Sequence, residues 1–384
     1  MSYFLKTLAL FLLPFLAMFM PAAFVLYQAG ELYPIGHIVE AFTAQQIVLY
    51  GPAYSNTRQE LQKEMVIVRK PEVLALGNSR VGEFRNVFFN EPNAFYNATG
   101  AIGALSDFKN FLEAVGHYHP KILIANMDHY YFNPEEAKNN VVERSNPFAS
   151  TSGWADTMVE AFFRNDGWWK VYRDYAEHKF ALTDLFHKTT VQEKSIGLRA
   201  IAEKTGALYD GSDYYGKTMT SAKIQQETLA SIHALAEAIS PTFGDWYGTD
   251  ISKDALIQLR AFLAYCKERN IFVIGFLPPI AHEEYVRIQS FSNASYDFAR
   301  ANLASTLKKE YREYGFDFYD FSDISKLGGS DAEMVDPKHG SEKLYARISL
   351  YMAARNQILS PYIDVSALST RLENTTSSLV LFGL

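Results

Sequence analysis

The stretch PEVLALGNSRVGEFR, residues 71–85, decides the fold. Val73–Leu76 is an apolar run of strand length between Pro71 and Gly77. An unbroken apolar run, rather than an alternating one, marks a strand buried on both faces, as in a parallel sheet covered by helices. The glycine turn then delivers Ser79 to a segment, VGEFRNVFF, with helical spacing. A side chain there stands outside the carboxyl end of a parallel strand, where open α/β sheets place their sites. A helix beginning at Ser79 would also turn backbone N–H groups and a positive dipole end toward a developing oxyanion. Serine is equally a favoured helix N-cap, so these residues alone leave nucleophile and cap as even alternatives.

Working outward, NAFYNATGAIGALSDFKNFLEAVGHYHP reads as a short strand, a glycine-rich loop and an amphipathic helix, and a second buried strand follows at Lys121–Met127. The alternation resumes late in the chain. DALIQLRAFLAYCKERN is a helix, IFVIGFLPP a buried strand, YDFARANLASTLKKEYREYG a helix and FDFYDFSD a strand, before DPKHGSEKLYARISLYMAARNQI gives a loop and a last helix. Strands alternating with helices predict an α/β fold with a parallel sheet and crossovers. The sheet is thus built from 71–132 and 251–356. Between them, 133–250 is aromatic and helical in pattern, with a strand signal only around Leu208, and reads as a helical insertion or cap. The tail, 357–384, carries no decisive pattern.

The chain has 384 residues, 48% of them hydrophobic, enough to bury a core in one large domain or two smaller ones. A net charge of −7 and no run of basic residues interleaved with aromatics argue against nucleic acid as a partner. The single cysteine, Cys266, excludes an internal disulfide and any paired-cysteine motif. Thr7–Gly30 carries no charge, and Leu8–Tyr27 has the ~20 apolar residues that a helix needs to cross a bilayer. Residues 1–30 are therefore expected to be an uncleaved transmembrane anchor, with a cleaved signal peptide ending near Pro21–Ala23 as the rival. Lys6 precedes the span and Glu31 follows it, so the positive-inside rule places the rest outside the cytoplasm. Residues 31–70 read as a juxtamembrane helical linker.

A serine nucleophile needs a base, and two D-x-x-H patterns compete: Asp184 with His187, and Asp336 with His339. The first lies in a helical aromatic stretch of the insertion, where such a pair is ordinary structure. The second lies in a loop interrupted by Pro337 and Gly340, directly before the last helix. There a carboxylate three residues away can hold one ring nitrogen and leave the other to face the serine. Asp336 as a turn cap beside a surface histidine is the structural alternative.

Taken in order, LALGNSR closing a strand, YNATGAIG, a second apolar strand with a polar turn, and DPKHGSEK before a terminal helix resemble the SGNH (GDSL-like) hydrolase superfamily. Within it the chain is most similar to membrane-anchored extracytoplasmic members, such as the D-alanine transfer protein of teichoic-acid modification and the alginate-type O-acetyltransferases. The resemblance covers roughly 70–130 and 255–356. It implies a three-layer α/β/α domain with Ser79 as nucleophile, His339 as general base and Asp336 as its orienter. It further implies an oxyanion hole built from the Ser79 N–H and a glycine N–H, Gly103 first and Gly100 second. Asn78 stands where many members carry aspartate. The family's third block usually offers an asparagine to the oxyanion, whereas NMDHYY offers Asn126 or Asp128 in no clear register, and an ionised Asp128 would repel an oxyanion.

The activity so implied is transfer of an acyl group, acetyl first, to a hydroxyl of a cell-envelope polysaccharide, with a membrane-bound O-acyltransferase as the partner that supplies it. D-alanyl transfer is a close variant. An esterase acting on an acylated glycan and a non-catalytic envelope assembly or carbohydrate-binding protein are the alternatives. No cofactor or metal is expected, since His117 and His119 lack further ligands of suitable spacing. Asn97, Asp128 and Tyr130 are candidate substrate contacts, Asn97 more as a loop former. Tyr130, Tyr131, Trp168 and Trp169 suit a sugar-stacking surface but suit a core better. Asn97, Asn293 and Asn374 head N-x-S/T triplets that matter only in a eukaryotic secretory host.

Overall fold

The structure, a computed structural model, describes residues 2–44, 47–134, 148, 154–164, 167–186, 193–240, 248–291 and 302–383. The chain divides into two compact units, Met1–Leu61 with Thr151–Tyr209, and Gln62–Ser150 with Asp210–Leu384.

The second unit is built on a five-stranded parallel sheet: β1 (Val73–Gly77), β2 (Phe95–Thr99), β3 (Ile122–Asn126), β4 (Phe272–Leu277) and β5 (Asp317–Asp320). Their spatial order is β2-β1-β3-β4-β5. The first crossover steps from β1 to β2 on one side, and the next returns past β1 to β3 on the other. The carboxyl ends of β1 and β3 therefore flank the crevice where the order reverses, the usual ligand position in such sheets.

The apolar runs fill both faces. Val73, Ala75, Ile122, Ile124, Ile274 and Phe276 pack on one side against Phe84, Phe88 and the helix Glu342–Ala353 through Tyr345, Ile348 and Met352. The alternate residues Leu74, Leu76, Leu123, Ala125 and Val273 are equally buried, and face the side covered by the helices Ser106–Ala114, Lys253–Glu268 and Leu303–Tyr314. Phe108 meets Phe262 there with ring centroids 5.1 Å apart, and Tyr311 occupies the space over Gly275 that any side chain would fill. Each buried leucine or isoleucine contributes about 1.5–3 kcal/mol, so two covered faces hold the strands flat against exchange with water. The patternless tail joins this core: Val365–Asn374 is a helix with Leu368 buried, and the N–H groups of Leu381 and Phe382 donate to Glu342 Oε2 at 2.7 and 3.1 Å.

Three expectations need correction, the last of them, the helical linker, in the first unit. VGEFRNVFF is not a helix. Ser79–Val81 and Asn86–Phe88 are single 3₁₀ turns; Asn97 Nδ2 donates to the carbonyls of Val81 and Phe84 at 2.7 and 2.9 Å, and the Val81 carbonyl also accepts the Phe84 N–H at 3.2 Å, a three-residue bond and not an α-helical one. No helix dipole therefore stands behind Ser79. Nor is 133–250 a purely helical insertion. The helices Trp154–Phe163, Gly167–Ala176 and Ala222–Ala238 are present, but so are short strands at Glu193–Ile196, Thr205–Ala207 and Asp213–Tyr215.

In the first unit Ile47–Tyr50, within the expected helical linker, pairs parallel with Glu193–Ile196, and Tyr50 pairs antiparallel with Ala207. Among the described residues, helix α1 (Ser2–Gln28) is the one element long and apolar enough to cross a membrane, over Lys6–Gln28. It carries Pro14 and Pro21 internally, as spanning helices tolerate. From Leu10 to Met18 its residues are exposed, Phe19 is half-buried, and then Ala22, Val25 and Leu26 are buried among Ala161, Phe162, Val171, Phe180 and Leu198. The helix runs without a break through the Pro21–Ala23 position of a supposed cleavage site.

Candidate active site

Ser79 is held by the residue before it. Gly77 ends β1 with Asn126 so close that a Cβ would overlap the Asn126 side-chain oxygen, which is why this position must be glycine. Asn78 then donates its N–H to Asn126 Oδ1 at 3.2 Å and accepts from Asn126 Nδ2 at 2.8 Å. Its Oδ1 also accepts from the Arg80 N–H at 2.8 Å, so the cap of this turn is Asn78 and not Ser79. Asn78 Nδ2 donates to Asp128 Oδ2 at 3.0 Å and to the Tyr130 hydroxyl at 3.1 Å. Thr99 donates to the Asn78 carbonyl, and the Tyr345 hydroxyl to that of Arg80. The turn is thus tied to β2, β3 and the last long helix, with the serine side chain left free of all of them.

The last loop brings the base. Ser341 Oγ caps the helix Glu342–Ala353, and the Val335 N–H donates to the His339 carbonyl at 2.9 Å, closing residues 335–339 into a tight turn. Inside it Asp336 accepts the N–H groups of Lys338 and His339 at 2.7 and 2.8 Å and meets His339 Nδ1 at 2.8 Å. Nδ1 so partnered carries the proton, which leaves Nε2 as an acceptor. His339 Nε2 lies 2.8 Å from Ser79 Oγ. Burial alone would raise the Asp336 carboxyl, but the hydrogen bond and charge of His339 and the two backbone N–H groups outweigh it and hold the group below the ordinary range. The Tyr215 ring lies 6.0 Å from the imidazole, flanking it.

Asn78, Ser79, Arg80, Asp128, His129, Tyr130, Lys338 and His339 line a cavity of 350 Å³ over the serine. Asp128 does not confront an oxyanion as an unbalanced charge. Its carboxylate, 1% exposed, takes Arg80 Nη1 at 3.2 Å and His129 Nδ1 at 2.8 Å. Burial would raise its pKa, but the Arg80 charge, with His129 and Asn78 hydrogen bonds, carries it well below the usual carboxylate range. Arg80 Nε, also on this wall, is buried without a hydrogen-bond partner among the described residues.

The remaining sequence candidates divide. Gly103 donates its N–H to Asp107 Oδ2 at 3.0 Å, a helix-start contact that withdraws it as an oxyanion donor. Gly100, with φ of +73°, and Ser79 have backbone N–H groups that donate to no protein acceptor among the described residues. Asn126 is fully buried and committed to Asn78, so it offers nothing to the cavity. Asn97 is likewise fully buried on the Val81 and Phe84 carbonyls and is a loop former, not a substrate contact. Tyr130 lines the cavity while Tyr131 is buried behind it. Asp184 accepts from the Ala181 N–H, and its partner in the pattern, His187, lies outside the described residues. Arg80, His129, Lys338 and Tyr215 were not singled out from sequence; the basic residue directly after the serine was the one signal available.

What the fold and site define is a doubly wound parallel α/β unit with a serine, a histidine and an aspartate in hydrogen-bonded sequence at its topological switch. Comparison with family models, curated proteins and solved structures found no match to this chain.

Proposed function

We propose that this chain is a serine acyltransferase of SGNH type, anchored by α1 with its second unit outside the cytoplasm, that moves an acyl group, acetyl first, onto a hydroxyl of an envelope polysaccharide. The observation that carries the reading is the Ser79–His339–Asp336 relay, with 2.8 Å at both histidine nitrogens. His339 Nε2 takes the Ser79 proton as Oγ bonds to the carbonyl carbon of an acyl donor. The Ser79 and Gly100 N–H groups hold the oxyanion. On collapse the donor's leaving group departs with the proton from His339, and an acyl-serine ester remains. An acceptor hydroxyl then gives its proton to His339, attacks the ester carbonyl and releases Ser79, which recovers the proton. Asp336 stays ionised throughout and keeps the imidazole in the required tautomer. A membrane-bound O-acyltransferase would be a fitting donor for an enzyme tethered at the same bilayer.

One observation favours a second reading, an esterase with water as acceptor: the Asp336 side chain is 43% exposed, so solvent reaches the edge of the relay. The non-catalytic reading expected Ser79 and His339 out of reach of each other, and nothing in the geometry favours it. The test is intact-mass analysis of the protein after incubation with an activated acetyl ester, with and without oligosaccharide acceptors. The expected result is a single acetyl adduct that Ser79→Ala abolishes and that sugar discharges faster than water. Faster discharge by water would make the protein an esterase, and the absence of any Ser79-dependent adduct would overturn both.

A further inference from the structure

The first unit carries a second feature that the proposed chemistry does not use. Along α1 the side chains of Phe4, Leu10, Phe11, Leu13, Phe15 and Leu16 are all exposed. A helix apolar on every side needs an apolar solvent. At a rise of ~1.5 Å per residue the stretch from Phe4 to Met20, in which Phe19 is already half-buried, is about 24 Å long, short of the ~30 Å of hydrocarbon that a span must cross. The next turn, already packed against the first unit, has to complete the crossing.

The groups around that turn are aromatic. Phe19 packs on Trp168 and Phe162, with ring centroids 4.8 and 5.8 Å away, and the Tyr172 hydroxyl donates to the Met18 carbonyl at 2.6 Å. Phe24 meets Phe186 at 6.2 Å. These contacts continue outward into largely exposed rings: Trp169 beside Trp168 is 57% exposed, Phe163 beside Phe162 is 58% and Phe186 is 61%. Tyrosine and tryptophan at the end of a span are the residues that settle at the headgroup level. Arg164 and Arg173, exposed and adjacent in sequence to Phe163 and Tyr172, add cations suited to lipid phosphates.

We propose that this aromatic face seats the first unit in the headgroup–acyl boundary of the bilayer that α1 crosses, so that the unit lies partly in the membrane surface and is not simply tethered above it. The occupant is lipid: the face is continuous with a helix whose own length requires hydrocarbon at the same level.

The test uses the full chain in lipid nanodiscs with brominated phospholipids. In one protein Trp169 is the sole tryptophan, after Trp154→Phe, Trp168→Phe and Trp246→Phe; in a second all four are replaced by Phe and Leu12→Trp supplies the probe. The expected result is deep-bromine quenching of the residue 12 probe, together with several-fold stronger quenching of Trp169 by bromines near the headgroup than by bromines at the chain end. Trp169 quenched by aqueous acrylamide and untouched by bromolipid would overturn the proposal, and would leave a partner protein as the cover for the face. A residue 12 probe outside the bilayer would overturn it too. Hydroxyl-radical footprinting of the wild-type chain in nanodiscs needs no substitution. Trp169 and Phe163 are expected to be protected relative to the equally exposed Ile257, after correction for intrinsic reactivity, and equal labelling would contradict the proposal.

Discussion

The two sides of the candidate site are held in opposite ways. The serine side is a buried lattice: Asn78, Asn126, Asp128 and Arg80 bond to one another, and three of the four side chains are less than a tenth exposed. The base side is a short loop that folds on itself, with Asp336 capping its own turn and its side chain 43% exposed. The nucleophile's position is therefore bound up with the stability of the unit, whereas the base's position is bound up mainly with the chemistry. Substitutions should separate along that line.

The largest effect is expected from Ser79→Ala, which should reduce acyl turnover by about four orders of magnitude or more while leaving the melting temperature unchanged, since Oγ bonds only to His339. Asp336→Asn comes next on activity. It should cost about 10²–10⁴ in rate by offering the wrong partner to Nδ1–H, with stability within about 1 kcal/mol of wild type. Because the Asp336 carboxyl is held below the ordinary range, wild-type activity should not fall through its protonation until pH drops beneath that range. An acid loss of activity that Asp336→Asn removes would break this account of the base side.

On the serine side the order reverses. Asp128→Asn leaves Arg80 buried and unpaired and should cost about 3–5 kcal/mol in denaturant unfolding. The sign with pH follows from the depressed carboxyl: the stability it gives is complete above the ordinary carboxylate value and is lost as pH falls through the lower folded one. A stable, inactive Asp128→Asn protein would erase the contrast between the two sides. The smallest effect concerns Glu83, four residues beyond the serine and 2% exposed, with neither carboxylate oxygen hydrogen-bonded among the described residues. Burial raises its pKa well above the ordinary value, with Arg85 opposing and Glu342, Asp213 and Asp210 adding to the rise. The folded state then holds a proton that the unfolded state releases, so stability declines as pH rises from the ordinary value toward the folded one. Glu83→Gln should remove that decline, and its melting-temperature advantage over wild type should widen as pH rises above the ordinary carboxylate value.

Much of the second unit was legible because its strands are buried on both faces. VLALG, ILIAN and FVIGFL can be nothing else in an alternating chain, and the loop before the last helix declared itself through Pro337 and Gly340. What escaped reading depends on partners far away in sequence. EKSI is a strand only because Ile47–Tyr50, far earlier in the chain, pairs with it, and nothing in Glu193–Ser195 announces that. The segment after Ser79, expected as a helix, is likewise tied to a residue outside it: Asn97, on the next strand, bonds its Val81 and Phe84 carbonyls. Gly103 had a local warning in Asp107, four residues on at a helix start, which is well placed to take its N–H. The pairing of Arg80 with Asp128 joins positions 48 apart, beyond any motif.

The central claim is that Ser79 is activated by His339, and the most direct measurement is labelling of the full chain with a fluorophosphonate, followed by peptide mapping. The account predicts a single phosphonyl adduct, on Ser79, that disappears with Ser79→Ala and slows sharply with His339→Gln. An adduct on another residue, or labelling of Ser79 at the same rate without His339, would contradict it.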